Sequence, residues 1–217
     1  MILRFAFAPA LSSATRRLSA SLALASLVLG FSASVRAAAP YDLVPLNPAS
    51  PNYAKVFSGV KINDPVPQPD KFKAGDEILS AVYAYLCPNS PVVGNIAYRD
   101  RLFVLLDHRL GITAAGNDLN DISFVYQAAY AYMLMKYHRP TEISASRVAT
   151  YESGIAKSNN AIISGNPLLY DQGVLANLWL NGDIRLAMAV YFGGLAVNDP
   201  VRATKAQNAI DNVMSVA

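Results

Sequence analysis

Three observations in this sequence predict an all-α fold. Two stretches are apolar on every face at helical length, and one-sided amphipathic stretches flank them. The joints between them carry Pro, Gly and Asn/Asp, as helix ends do, and none of the segments alternates with the two-residue period of strands. A helix that is apolar all round must be covered on all sides, whereas an amphipathic one needs cover on one face only. Two concentric layers of helical hairpins satisfy both demands, with inner helices covered and outer helices half wet.

Residues 1–37 stand apart as an address. Arg4, Arg16 and Arg17 make a basic front, and no acid precedes Asp42. The run Leu22–Phe31 is apolar but about ten residues long, short of the roughly 20 needed to span a bilayer. Val35-Arg36-Ala37 places small residues where a signal peptidase reads, so the sequence predicts a secretory signal cut after Ala37 and a periplasmic or secreted product. The whole chain has 18 basic and 15 acidic residues, and four of the basic ones lie in residues 1–37. The mature chain therefore has 14 basic against 15 acidic residues, a net charge of −1. The basic character of the full chain belongs to its leader and is no argument for nucleic acid. Stable membrane insertion after signal cleavage is not expected either.

Cys87 is the only cysteine, and His108 and His138 are the only histidines. No intramolecular disulfide can form, so stability must come from the core, and no zinc site of the usual kind is expected. The expectation is no metal and no cofactor. Cys87, between Leu86 and Pro88, reads as a small buried hydrophobe at a helix end.

Residues 38–73 carry Pro40, Pro45, Pro48, Pro51, Pro65, Pro67 and Pro69. These forbid a long helix and predict an extended, proline-rich arm whose aromatics lie along the domain. Helical period begins at Ala74, with Ile78, Val82, Tyr85 and Leu86 on one face and Pro88 as the stop. From Ala97 to Leu110 the face is Leu102, Leu105, Leu106 and Leu110, with Arg99, Asp100, Arg101, Asp107 and Arg109 read as solvated and Gly111 as the C-cap.

After a polar loop, 121–138 is the first all-round apolar helix, with no charge between Asp121 and Lys136 and a stop at Arg139-Pro140. Its Tyr126, Tyr130 and Tyr137 share a helical face. The next helix, 144–163, is one-sided through Val148, Tyr151, Ile155 and Ile162. A long loop then holds the only Trp, Trp179, and leads into the second all-round apolar helix, 183–197, where Arg185 is the sole charge. Asp199-Pro200 opens a last amphipathic helix running through Ala203, Ala206, Ile210 and Val213. That helix pattern reaches Ala217 without a stop signal, so the expectation is the N-terminal part of a longer protein, its domain from 74 onward.

The loop-plus-helix ending Gly193-Gly-Leu-Ala-Val-Asn-Asp-Pro200, with the Ala-rich helix from Ala203, resembles the repeat of (α/α) toroid carbohydrate-active proteins. Within these it is most similar to the alginate, heparinase and chondroitin lyase superfamily, over roughly residues 95–217. The resemblance implies an incomplete (α/α) toroid and an exported lyase that cleaves uronate-containing glycans by β-elimination, with an anionic polysaccharide as partner. It further implies a cleft lined by the loops before the inner helices, here 111–120 and 164–182. Asn177 then falls where such lyases neutralise the uronate carboxylate, which acidifies C5 for abstraction by a Tyr or His. Leu178 stands where the His would align.

With Asn177, the catalytic candidates are Tyr170 and Arg185. The substrate-binding candidates are Trp179, Asn181, Asn117 and Asn120. Each has a structural alternative: Trp179 as a cover for the core, Asn181-Gly182-Asp183 as a turn and N-cap, and Asn117 to Asp121 as capping for the next helix. A glycoside hydrolase on the same toroid, with Asp171 and Asp183 near the right loop, and a non-catalytic glycan-binding protein are the other readings.

Overall fold

The computed structural model describes residues 41–65, 71–117, 125–167, 170 and 180–215. Among these every regular element is helical. Leu43–Ala217 packs as one compact unit. Its helices are α1 (Tyr53–Ser58), α2 (Lys71–Leu86), α3 (Ile96–Ala114), α4 (Val125–His138), α5 (Ala145–Gly165), α6 (Leu180–Ala196) and α7 (Pro200–Ser215), with a 3-10 turn at Pro140–Glu142 before α5.

The helices form two rows. In one row α2 packs on α4 and α4 on α6; in the other α3 packs on α5, and α3 joins the first row through α2 while α5 joins it mainly through α6. Arg202 of α7 reaches back to Asn160 of α5 and extends the second row. Within the first row the helices run parallel: Tyr83 of α2 meets Tyr130 of α4, and Tyr130 stacks on Phe192 of α6 at 4.6 Å.

Burial follows the apolar pattern. Every residue from Gln127 to Met135 is buried, so α4 is covered all round as its composition requires. α6 is buried along the faces toward α4, α5 and α7, through Leu186, Ala187, Ala189, Val190 and Phe192. α2 joins this covered row, since Ile78, Ala81, Val82 and Ala84 to Cys87 are all buried. Small residues set the spacing. A Cβ on Gly154 of α5 would lie 2.5 Å from the Leu110 carbonyl of α3, and one on Gly194 of α6 would lie 2.8 Å from the Ala203 nitrogen of α7.

Several expectations are corrected. Gly111 is an interior residue of α3, which continues one turn to Ala114. The left-handed residue that ends it is Gly116, at φ +92°. The Gly116 N–H bonds the Thr113 carbonyl and the Asn117 N–H bonds the Ile112 carbonyl, the paired bonds of a Schellman motif. Asn117 thus closes the preceding helix with its backbone.

α6 begins at Leu180, so Asn181-Gly182-Asp183 lies within its first turn. Arg101 and Arg109, read as solvated, are only 4 % and 1 % exposed. α3 has neighbours on two flanks, and these residues lie on the covered ones. Tyr137 does not share the surroundings of Tyr130: it is 56 % exposed, because α4 runs out of neighbours at its last turn. Within the arm, Tyr53–Ser58 forms a short helix against α2.

Candidate functional site

The parallel packing of α2, α4 and α6 gives the double row two unlike ends. At one end the three hairpin turns are short, and each second helix is capped by a side chain. Asn95 accepts from the Ala97 N–H, Ser144 from the Arg147 N–H, and Asp199 from the Arg202 N–H. Charges there are matched. Arg147 holds Asp107 through two nitrogens and lies over the Phe103 ring at 4.3 Å, and Tyr151 donates to the same carboxylate. Lys136 bridges Glu152 and the Ala196 carbonyl, both at 2.7 Å, and so ties the end of α6 to α4 and α5. This end is closed by its own bonds.

The other end is where α2, α4 and α6 begin, and it receives the long connections from α3 to α4 and from α5 to α6. The N–H groups of a helix start lack intrahelical partners and carry the positive end of the dipole. Three such starts converge there.

The side chains at this end come from four places. Asp76 stands exposed in the second turn of α2, and Tyr126 is half-buried in the first turn of α4. Asp183 is fully buried and Arg185 half-buried in the first turns of α6. Tyr170 follows the end of α5, where the Asn166 side chain bonds the Ile162 carbonyl and the Tyr170 N–H bonds the Asn166 carbonyl. The Tyr170 ring is packed with Ile162, Leu186 and Ile210, and Tyr126 and Ile184 lie against the same cluster.

Electrostatics link Tyr126 with Arg185 and Asp76, and Tyr170 with Asp183. Burial raises the pKa of the Tyr126 hydroxyl; Arg185 pulls against that rise and Asp76 adds to it. Burial raises Tyr170 far more, with Asp183 adding to the effect, and its hydroxyl has no hydrogen-bond partner among the described residues. Tyr170 is therefore a neutral phenol that holds its proton more tightly than a free one. Among the described residues the end brings together Arg185, Asp76, Asp183, Tyr126, Tyr170 and the starts of α2, α4 and α6, with Lys157 bonded to the Ala114 carbonyl at the end of α3.

Of the predicted site residues, Tyr170 and Arg185 fall at this end on the two sides of one junction, that between α5 and α6. Asn181 lies in the first turn of α6. Asn117 is exposed just after the end of α3. Asn177, Trp179 and Asn120 lie outside the described residues. Sequence reasoning missed Asp76, and placed Tyr126 on a helical face with Tyr130 and Tyr137 without naming it as a site residue. The available signal was the place of both in the opening turns of helices that are otherwise covered.

Among the described residues no group of three or more His, Cys, Asp or Glu is arranged to hold a metal ion, and no helix is long and apolar enough to cross a membrane. Comparison with known proteins found no matching family model, and neither a curated protein nor a solved structure matches significantly.

Proposed function

We propose that this chain is the helical-hairpin part of an exported polysaccharide-degrading protein, a lyase that cleaves uronate-containing glycans by β-elimination at the open end of an (α/α) toroid. The observation that carries this reading is the convergence of the starts of α2, α4 and α6 with Tyr126, Tyr170 and Arg185 at a single end. Donors and dipole ends gathered in this way suit a carboxylate.

In the proposed reaction the uronate carboxylate meets Arg185 and the Asn177 amide, which neutralise it and lower the pKa of the C5 proton. Tyr126 in its phenolate form, the form Arg185 favours, takes that proton and becomes a neutral phenol. The electron pair left at C5 forms the C4–C5 double bond as the C4–O bond breaks. The departing oxygen receives a proton from the Tyr126 phenol so formed, which restores the phenolate, while Tyr170, its hydroxyl buried, stands behind the site. Trp179, Asn181, Asn117 and Asn120 are assigned to sugar binding. The export signal places the enzyme in the periplasm or outside the cell, where such polymers are met.

The test is direct. Mature protein incubated with a uronate polymer should generate product absorbing in the unsaturated-uronate band. Asn177→Ala should lower turnover on the order of 10²-fold, as for loss of one preorganised donor, with the helical circular dichroism kept. New reducing ends without that absorbance would identify a glycoside hydrolase instead. Binding with no product would leave a glycan-binding protein.

A further inference from the structure

We propose that residues 43–58 form a strap that opens and closes on the domain while the other helices stay folded, with Asn89 as its latch and Gly59 as its hinge. The arm is held at two ends, and the two holds differ in kind. Downstream, the buried side chains of Arg101 and Glu77 grip residues 61–65. Arg101 reaches the Asp64 carbonyl at 2.6 Å, Glu77 accepts the Lys61 N–H at 2.9 Å, and Val60 beside them is buried. Releasing that end would take hydrogen bonds from charged groups in a nearly dry place.

Upstream, the hydrogen bonds of Asn89 to the arm lie at the surface. The Leu46 N–H donates to Asn89 Oδ1 at 2.9 Å, and the Asn89 amide donates back to the Leu46 carbonyl. The Tyr53 hydroxyl reaches the Asn89 carbonyl at 3.2 Å. Asn89 is exposed, so water can take the place of each partner at little cost.

Between the two holds lies α1, whose six residues include none that is fully buried. Tyr53, Val56 and Phe57 are half-buried where α1 meets α2. A helix of this length is not stable alone, and few apolar contacts hold it down. Such a segment opens at a lower free energy than the packed helices behind it. The bend falls at Gly59, between the last residue of α1 and the buried Val60.

The strap covers the thiol of Cys87. This residue has no exposure, and its sulfur lies 3.7 Å from the Val44 carbonyl and 3.1 Å from Asn89 Oδ1. Opening carries Val44 away and bares the sulfur. Cys87 is the only cysteine, so a thiol reagent reads this one position.

The experiment treats the mature protein with an aromatic disulfide. The Cys87 thiolate displaces one aryl thiolate, which is coloured, and a mixed disulfide forms. The expected result is labelling in native buffer with helical circular dichroism kept. Its rate should rise far less steeply with urea than global unfolding does, because opening the strap exposes little surface. Asn89→Ala should speed labelling about fivefold or more, as for loss of a hydrogen-bond partner. Phe57→Ala, on α1 and outside the hydrogen bonds of the thiol, should speed it as well. Gly154→Ala, which disturbs the packing of α3 on α5, should leave the rate unchanged. A rate that climbs with urea as steeply as the loss of helix overturns the proposal, and so does a rate that Gly154→Ala raises as much as Phe57→Ala. Labelling that Phe57→Ala does not speed overturns it too, as does the absence of labelling in native buffer.

Discussion

Arg101 and Glu77 carry opposite charges into a place with almost no water. Arg101 Nε donates to Glu77 Oε1 at 2.7 Å, and a second guanidinium nitrogen reaches Oε2 at 3.1 Å. A third bond goes to the Asp64 carbonyl at 2.6 Å, while Glu77 also accepts the Lys61 N–H at 2.9 Å. Removing one partner would strand the other charge in the interior. Glu77→Ala should therefore cost about 3–5 kcal/mol, read as a lower denaturant midpoint, and an unchanged midpoint would mean the pair carries no such weight. Asn198 is a second informative residue. It sits at φ +56°, and its N–H bonds the Leu195 carbonyl while that of Asp199 bonds Gly194, so α6 ends in a Schellman motif without glycine. Asn198→Val should cost about 1–2 kcal/mol, whereas Asn198→Gly should be tolerated; equal melting temperatures for the two variants would contradict that assignment. The ion pair was not legible in the sequence, because Arg101 sits beside Asp100 in what reads as a solvated stripe. Periodicity counts one apolar face, and it cannot show that a second flank is also covered.

At the scale of elements the sequence was most informative. The two all-round apolar stretches are α4 and α6, and the joints Pro88, Arg139-Pro140 and Asp199-Pro200 fall where helices stop or start. The error at Gly111 is instructive: an isolated glycine in a helical pattern resembles a C-cap, and the true stop five residues on was hidden by the Ala-rich turn between. Close approach of helices is the feature that composition hints at and packing decides. Gly154 has the Leu110 carbonyl and the Thr113 hydroxyl both 2.5 Å from where a Cβ would go. A backbone carbonyl cannot swing aside, so Gly154→Ala should force α3 and α5 apart and cost about 1–3 kcal/mol. Gly165→Ala, with nothing within 4 Å of that position, is the control. Thermal melts of the pair should separate them clearly, and a shared loss would point to helix ends in place of packing.

For the whole molecule, the two-row arrangement follows from the alternation of covered and half-covered helices, so the all-α class could be read without coordinates. Half of the site could not. Arg185 and Tyr126 are far enough apart in sequence that only the parallel packing of α4 and α6 puts them at one end, and Asp76 arrives from a third helix. Tyrosine burial gives the molecule a distinctive pH response. Burial is the largest cause of raised pKa at Tyr83, Tyr126, Tyr130, Tyr132, Tyr151, Tyr170 and Tyr191, against an ordinary value of 10.0. The folded state thus keeps phenol protons that the unfolded chain releases. Stability from this source is complete below about pH 10 and falls as pH rises beyond it. An alkaline titration should show phenolate absorbance appearing together with loss of helical circular dichroism, in one step. Free titration of most tyrosines with the helices intact would contradict the burial described. The clasp on the arm has a different kind of consequence, for tolerance to change. It grips residues 61–65 by carbonyl oxygens and one N–H, which every residue possesses, and so it is indifferent to most side chains there. That stretch can drift in sequence while its course stays fixed. The substitution it forbids is proline at 61, the position whose N–H Glu77 holds.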